Sequence, residues 1–239
     1  MRKPAVAVGI ALASIILGVG LVGCDSGSKS TTTTSSTTSA TSATSATSAT
    51  KSSASSSAPS TSAQASGPNQ TLNEYIKQNN IQETVVYRGD AGSPTINLPV
   101  PQGWTTQPAT EDASYGAITF DAAADPNVRP TITAHLEKLT GTLDQKGLFA
   151  AAHGDAKNLP GFSETDPVQD STLGGFPATQ IGGTYTAEGK KYAVYEKTVM
   201  IEGPKGTFVF QLVAQATDAE RDKLQDAMSA IDQQTTITA

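Results

Sequence analysis

Residues 178–216 limit what this chain can become more than any other stretch. Ala178 to Ala187 reads as a strand, Glu188-Gly189-Lys190 as a turn, and Lys191 to Glu202 as a return strand rich in Tyr, Val and Ile. Gly203-Pro204-Lys205-Gly206 turns the chain again, and Thr207 to Ala216 puts Phe208, Phe210, Leu212 and Ala214 on one face. Period-two patterning between Gly/Pro turns marks strands. Strands joined this tightly must be antiparallel neighbours, because a parallel pair needs a crossover of about a dozen residues.

The flanks supply helices. Thr217-Asp218-Ala219-Glu220 has the spacing of a capping box. The helix after it sets Leu224, Ala227, Met228 and Ile231 at i, i+3, i+4 and i+7, one apolar stripe. Thr235 to Thr238 adds an extended end. Upstream, Thr71-Leu72-Asn73-Glu74 is a second capping box, opening a helix that buries Leu72, Tyr75 and Ile76. Strands are expected at Ile81–Arg88, Thr95–Leu98, Tyr115–Asp121 and Pro130–Leu139, and a helix at Asp144–His153. Helix, strands, helix, meander, helix is the order of an α+β fold: one antiparallel sheet with helices packed on it.

The N-terminus has a different character. Arg2 and Lys3 precede an almost wholly apolar run from Ala5 to Val22, and Leu21-Val22-Gly23-Cys24 follows the pattern of a bacterial lipobox. Residues 1–23 then form a cleaved lipoprotein signal, and Cys24 carries diacylglycerol and palmitate. Each buried methylene contributes ~0.8 kcal/mol, so two or three acyl chains anchor the chain firmly where one does not. An uncleaved signal anchor with an incidental cysteine is the alternative. Residues 24–67 are nearly all Ser, Thr and Ala after Cys24, with too little apolar surface to offset the entropy of ordering. They form a disordered tether, either a plain spacer or a substrate for O-glycosylation. Residues 68–239 are then one domain. The expected location is the extracytoplasmic side of the cell membrane, lipid-anchored, with partial shedding or secretion as a variant of that fate.

Composition narrows function mostly by exclusion. Net charge is −6 among 239 residues, which argues against nucleic acid. Cys24 is the single cysteine, so the mature chain has no disulfide and no Cys-based metal site. The two histidines, His135 and His153, lie on the polar side of an expected strand and near a helix end. Neither has the neighbours of a catalytic triad. No Gly-x-Ser-x-Gly elbow, phosphate loop or His-x-x-His pair is present. Asp121, Asp125 and Asn127 match no calcium loop. Carboxylate pairs brought together only by folding remain open as hydrolytic groups. The expectation is a chain without catalytic residues, metal or cofactor.

What remains is binding, in a cleft between helix and sheet layers. Trp104, Phe149, Phe162, Phe176, Tyr185 and Tyr192 are the candidates to line it, each weighed against ordinary core packing.

Several runs resemble a known family. Ile81-Gln82-Glu83-Thr84, Gly92-Ser93-Pro94-Thr95-Ile96, Leu98-Pro99-Val100-Pro101 with Gly103-Trp104, Asn158-Leu159-Pro160-Gly161-Phe162, Leu173-Gly174-Gly175-Phe176 and the closing Ile231-Asp232 with Thr235-Thr236-Ile237-Thr238 are similar to mycobacterial LpqN/LpqT lipoproteins. That resemblance implies a PsbP-like αβα sandwich. It also implies an envelope lipoprotein associated with trafficking of envelope glycolipids, such as trehalose mycolates, alongside MmpL-type exporters. Only Cys24 carries over as a functional residue. Two readings follow: a non-enzymatic protein that binds or moves an envelope lipid, or an interaction module docking on an exporter or a host protein.

Overall fold

The computed structural model describes residues 67–239. The expected signal at 1–23, the expected lipidation site Cys24 and all but the last residue of the expected 24–67 tether lie outside the described residues.

The first helix, α1 (Leu72–Gln78), starts at a true capping box: Thr71 Oγ1 accepts from the Glu74 amide and the Glu74 carboxylate accepts from the Thr71 amide. Four strands follow, β1 (Gln82–Val85), β2 (Thr95–Asn97), β3 (Trp104–Gln107) and β4 (Gly116–Phe120), and then the long β5 (Thr131–Thr140). Asp144 caps α2 (Gln145–Ala152), which runs into the single-turn α3 (Gly154–Lys157). Next come β6 (Ser163–Leu173), β7 (Phe176–Ala187), β8 (Lys190–Gly203) and β9 (Gly206–Thr217). A 3-10 turn at Asp218–Glu220 leads into α4 (Arg221–Gln234), and β10 (Thr236–Thr238) ends the chain.

The expected meander is present as β7-β8-β9, with turns at the expected glycines. It occupies one side of an eight-stranded antiparallel sheet ordered β3-β4-β5-β9-β8-β7-β6. β5 is long enough to serve two partners end to end: residues 131–134 pair with β4 and residues 137–140 with β1. β2 does not join this sheet; it pairs with β10 in a separate two-stranded ribbon.

Alternation splits the sheet into two faces. On one, Ile132, Ala134, Leu136, Phe210, Leu212 and Ala214 pack against Leu224, Ala227, Met228 and Ile231 of α4. On the other, Leu139, Met200 and Val209 pack against Leu72, Tyr75 and Ile76 of α1 and Leu148 and Phe149 of α2. The fold is therefore α+β, a helix–sheet–helix sandwich on an antiparallel sheet, as the element order implies. Full burial of one large apolar side chain stabilises by ~1.5–3 kcal/mol, so both helix layers are held chiefly by these stripes.

One expectation is corrected, and two strands, β3 and β6, form where none was expected. Ser163–Leu173 has no strand signal in the sequence, yet it forms the eleven-residue edge strand β6. Its Glu164, Asp166, Pro167 and Asp170 suit an edge, where proline and charge are tolerated and deter further pairing; two register shifts break its ladder. Thr217 and Glu220 do not form a capping box. The hydroxyl of Thr217 donates to one oxygen of Glu220, and the other accepts from the Ala124 amide, tying a surface turn to the helix start.

Candidate functional site

Two clefts flank α4 on its face of the sheet. The first, of about 290 Å³, is walled by Leu98, Pro99 and Val100 on one side and Thr106, Gln107, Pro108 and Ala109 on the other. Its floor is Ile118, Ile132 and Ala134, and Ile231 reaches it from α4. The prolines explain why apolar residues stand open here. Pro99 and Pro101 lack an amide donor and fix φ, so this segment cannot join a ladder that would cover Val100; Val100 remains 48% exposed. Gly116 keeps the floor open: its φ is +102°, and a Cβ there would lie 3.3 Å from the Gln107 carbonyl oxygen.

The single charge lining this cleft is Arg88. Its guanidinium lies 4.6 Å from the Tyr115 ring centroid, and Nε and Nη2 donate to the Tyr115 carbonyl at 3.1 and 2.9 Å. Tyr115 is itself fixed. Its hydroxyl accepts from the Ile96 amide at 3.0 Å, and its ring meets Phe210 edge-on at 5.6 Å.

The second cleft, also about 290 Å³, lies between α4 and β6–β8. It is the more polar of the two: Gln169, Gln180, Gln225 and Gln233, Asp166 and Asp232, Ser229 and the phenol of Tyr195 stand among Pro167, Ile181 and Met228. Lys197 is only 2% exposed and pairs with Asp232 at 2.5 Å. Gln225 donates to the Tyr195 hydroxyl at 2.7 Å.

The opposite face holds a third, smaller cleft of about 170 Å³ beneath α1. Glu83, His135, Glu137, Gln211 and Glu196 project into it from four neighbouring strands, and Asp155 from α3. No lysine or arginine lines it. Burial pushes Glu137 well above the usual carboxylate range, and the adjacent Glu83, which accepts a hydrogen bond from the protonated Glu137, adds to the rise. Burial, reinforced by the Asp155 charge, pushes Glu196 up to about 8. Burial lowers His135 despite the opposing charge of Asp112. No Ser, Thr, Cys or Lys lines this cleft to act as a nucleophile. At about 170 Å³ it is little more than half the ~300 Å³ at which ordinary ligand sites begin, a size the other two clefts nearly reach.

His153 stands apart. It is buried at the junction of α2 and α3, with Nε2 2.9 Å from Thr179 Oγ1. Because that hydroxyl donates to the Gln169 carbonyl, Nε2 carries the proton. Burial, with help from Lys157, lowers its pKa to about 4. Among the described residues no group of three or more His, Cys, Asp or Glu is placed to hold a metal ion, and no helix is long and apolar enough to cross a membrane.

The six aromatic candidates do not converge. Trp104 is buried in the α4-side core, its ring centroid 5.7 Å from that of Phe120. Phe149 belongs to the α1–α2 core, and Phe176 packs against the α4-side core. Phe162 lies against Gly183, where no side chain could fit. Tyr185 and Tyr192 stack at 5.3 Å as a cross-strand pair, and the Tyr185 hydroxyl donates to Gln215. None lines any of the three clefts. The apolar lining of the first is mostly aliphatic, with Tyr115 its one aromatic residue. Its one sequence signal is Leu98-Pro99-Val100-Pro101, apolar side chains held between prolines.

Comparison with known proteins agrees with this architecture. The lipoprotein LpqN of Mycobacterium tuberculosis is 50% identical over 175 residues, 73% of this chain and 77% of its own. The putative lipoprotein LpqT of Mycobacterium leprae is 27% identical over 53% of this chain and 61% of its own. A crystal structure of LpqN, which is described as involved in cell envelope biogenesis of M. tuberculosis, matches 72% of this chain and the whole of that one, with 50% identity and a TM-score of 0.70. The family model for the probable lipoprotein LpqN matches residues 68–238. Since that match spans every described helix and strand, the chain belongs to the LpqN lipoprotein family.

Proposed function

We propose that this protein is an envelope lipoprotein, anchored through acyl chains on Cys24, whose domain takes up part of an envelope amphiphile without transforming it. The observation that carries the reading is the apolar cleft beside α4, open to solvent at Val100 and held open by prolines and Gly116. Its volume fits a stretch of acyl chain, not a whole long-chain lipid, so the ligand would remain partly outside. The polar cleft across α4 adds support. Amide and hydroxyl groups that both donate and accept match vicinal sugar hydroxyls, in keeping with glycolipids such as trehalose mycolates as the ligand class. Involvement in envelope biogenesis, stated of the M. tuberculosis LpqN, fits the same role.

The test is to secrete the chain from Asp25 onward, without leader or acylation site, from an actinobacterial host. Solvent extraction and mass spectrometry are then run against Ile118→Trp, which fills the cleft floor, and an unrelated secreted domain. A stoichiometric lipid present only with the unaltered chain supports the reading; identical extracts from all three sink it. Anchoring is tested separately, since Cys24→Ser should move the full-length protein from membrane to medium.

The exposed Val100 and Tyr87 favour a second reading, a module that docks on an exporter of the MmpL type or on another protein. Photo-crosslinkers at these two positions that recover no specific partner from intact cells would remove it.

A further inference from the structure

We infer that the mouth of the apolar cleft beside α4 docks on the membrane that anchors the chain, with Val100 entering the headgroup layer, so that an acyl chain passes from bilayer to cleft without crossing water; this rests on the anchored, lipid-binding reading above. The rim of this cleft is a gap in the charge of the molecule. Residues 91–110 contain no Asp, Glu, Lys, Arg or His, the longest such run between residues 68 and 239, in a chain of net charge −6. Both walls of the cleft, residues 98–100 and 106–109, come from this run. The acids that flank the run, Asp90 and Glu111, are not in the lining, and the one charge that is belongs to a cation, Arg88. Taking an ionised carboxylate out of water is costly, and an anionic membrane surface repels it as well. A rim without carboxylates escapes both penalties.

The more polar cleft on the other flank of α4 has no such rim. Its lining holds Asp166 and Asp232, and the adjoining edge strand β6 also carries Glu164 and Asp170. Val168 on that edge is 40% exposed, close to the 48% of Val100, yet it stands between Asp166 and Asp170. Exposed apolar surface therefore does not single out the rim; the absence of charge around Val100 does.

The tip is also rigid and small. Pro99 and Pro101 fix φ on either side of Val100, so little freedom is lost on docking. A stable protein–protein interface buries ~1,200–2,000 Å², whereas here both prolines are half-buried and Val100 alone of the three stands out. So weak a contact holds only where the partner is already near. The tether meets that need: without fixed structure, residues 25–66 would span roughly 35 Å between Cys24 and the domain, and a contact linked in this way acts at a high effective concentration. A neutral rim also has no charge with which to select one protein partner, which a bilayer does not require. The sugar of a glycolipid stays at the level of the headgroups while its acyl chain enters the cleft.

The experiment reconstitutes the acylated full-length protein in vesicles of phosphatidylcholine and phosphatidylglycerol that contain doxyl-labelled phosphatidylcholine. Flotation with the vesicles shows that the anchor holds. Acylation occupies the Cys24 thiol, so Val100→Cys and Val168→Cys each present one free thiol for an environment-sensitive fluorophore. The label at 100 is expected to be quenched at least about threefold more strongly than the label at 168. Adding Gln102→Glu, which puts one carboxylate on the exposed rim, should weaken the quenching at 100, with an unaltered melting curve showing that the fold is intact. A floating protein with no quenching at 100, equal quenching at the two positions, or quenching that Gln102→Glu leaves untouched would overturn the inference. Lipid uptake is read on a separate sample, the secreted chain: identical extracts there would overturn the passage of an acyl chain while leaving the docking to stand.

Discussion

Lys197 of β8 and Asp232 of α4 form an ion pair at 2.5 Å that crosses from sheet to helix, with the lysine side chain 2% exposed and the aspartate 37% exposed. A charge as deeply buried as Lys197 is tolerated because its partner is fixed on the helix above it. Removing one member of such a pair leaves the other uncompensated, a loss of ~3–5 kcal/mol when both are buried. Solvent reaches Asp232, so Asp232→Ala should cost about 2–3 kcal/mol in urea unfolding. Lys197→Met, which removes the buried charge itself, should cost much less. If the two variants are equally destabilised, the pair is not what holds α4 here.

The acidic cleft beneath α1 makes stability fall on the alkaline side. Glu196 has a folded pKa of about 8, against 4.5 for an ordinary glutamate. A raised pKa means the folded state holds a proton that the unfolded state has released. The contribution is therefore fully present below about pH 4.5 and lost as pH rises through 8. Glu137, raised by the same burial and by Glu83, acts in the same direction. The melting temperature should drop between pH 5 and pH 9, and Glu196→Gln should flatten part of that drop. An unchanged slope in the variant would show that Glu196 ionises freely in the folded protein.

His153 produces the opposite slope. Its folded pKa is about 4, against an ordinary 6.5, so the unfolded chain takes up a proton first. Stability is complete above pH 6.5 and is lost as pH falls through 4. His153→Gln cannot be protonated and can still donate to Thr179, so it should melt at a more constant temperature between pH 6.5 and pH 4. NMR titration of the His153 ring showing a midpoint near 6.5 would contradict this.

Gly154 begins α3 against the segment that enters α1. A Cβ on it would lie 2.0 Å from the carbonyl oxygen of Gln70, which is backbone and cannot swing aside. Gly154→Ala should force α3 off that segment and cost about 1–3 kcal/mol, the range of overpacked sites. Gly175→Ala would meet no atom within 4 Å; its cost would come from its φ of +88° alone. A Gly154→Ala chain as stable as the unaltered one would mean the two segments are not in contact in solution.

By itself the sequence determined the local elements wherever patterning, caps and turn residues agreed. Thr71 with Glu74 set the start of α1, the stripe Leu224-Ala227-Met228-Ile231 set the buried face of α4, and the glycines at 189, 203 and 206 set the meander. These signals are short-range, so a linear reading reaches them. It did not reach β6, because an edge strand is held by one neighbour's hydrogen bonds and needs no apolar alternation. Nor did it reach the sites. Aromatic residues drew attention because they bury the most area, and for that reason they ended in the core or in a cross-strand stack. The clefts are made where chain segments far apart in sequence meet: Arg88 beside Tyr115 and Val100, Lys197 beneath Asp232, Glu83 beside Glu137 and Glu196. Tertiary structure alone decided these neighbours. Charge, desolvation and shape act through space, and spacing along the chain carries no record of which strands come to lie side by side.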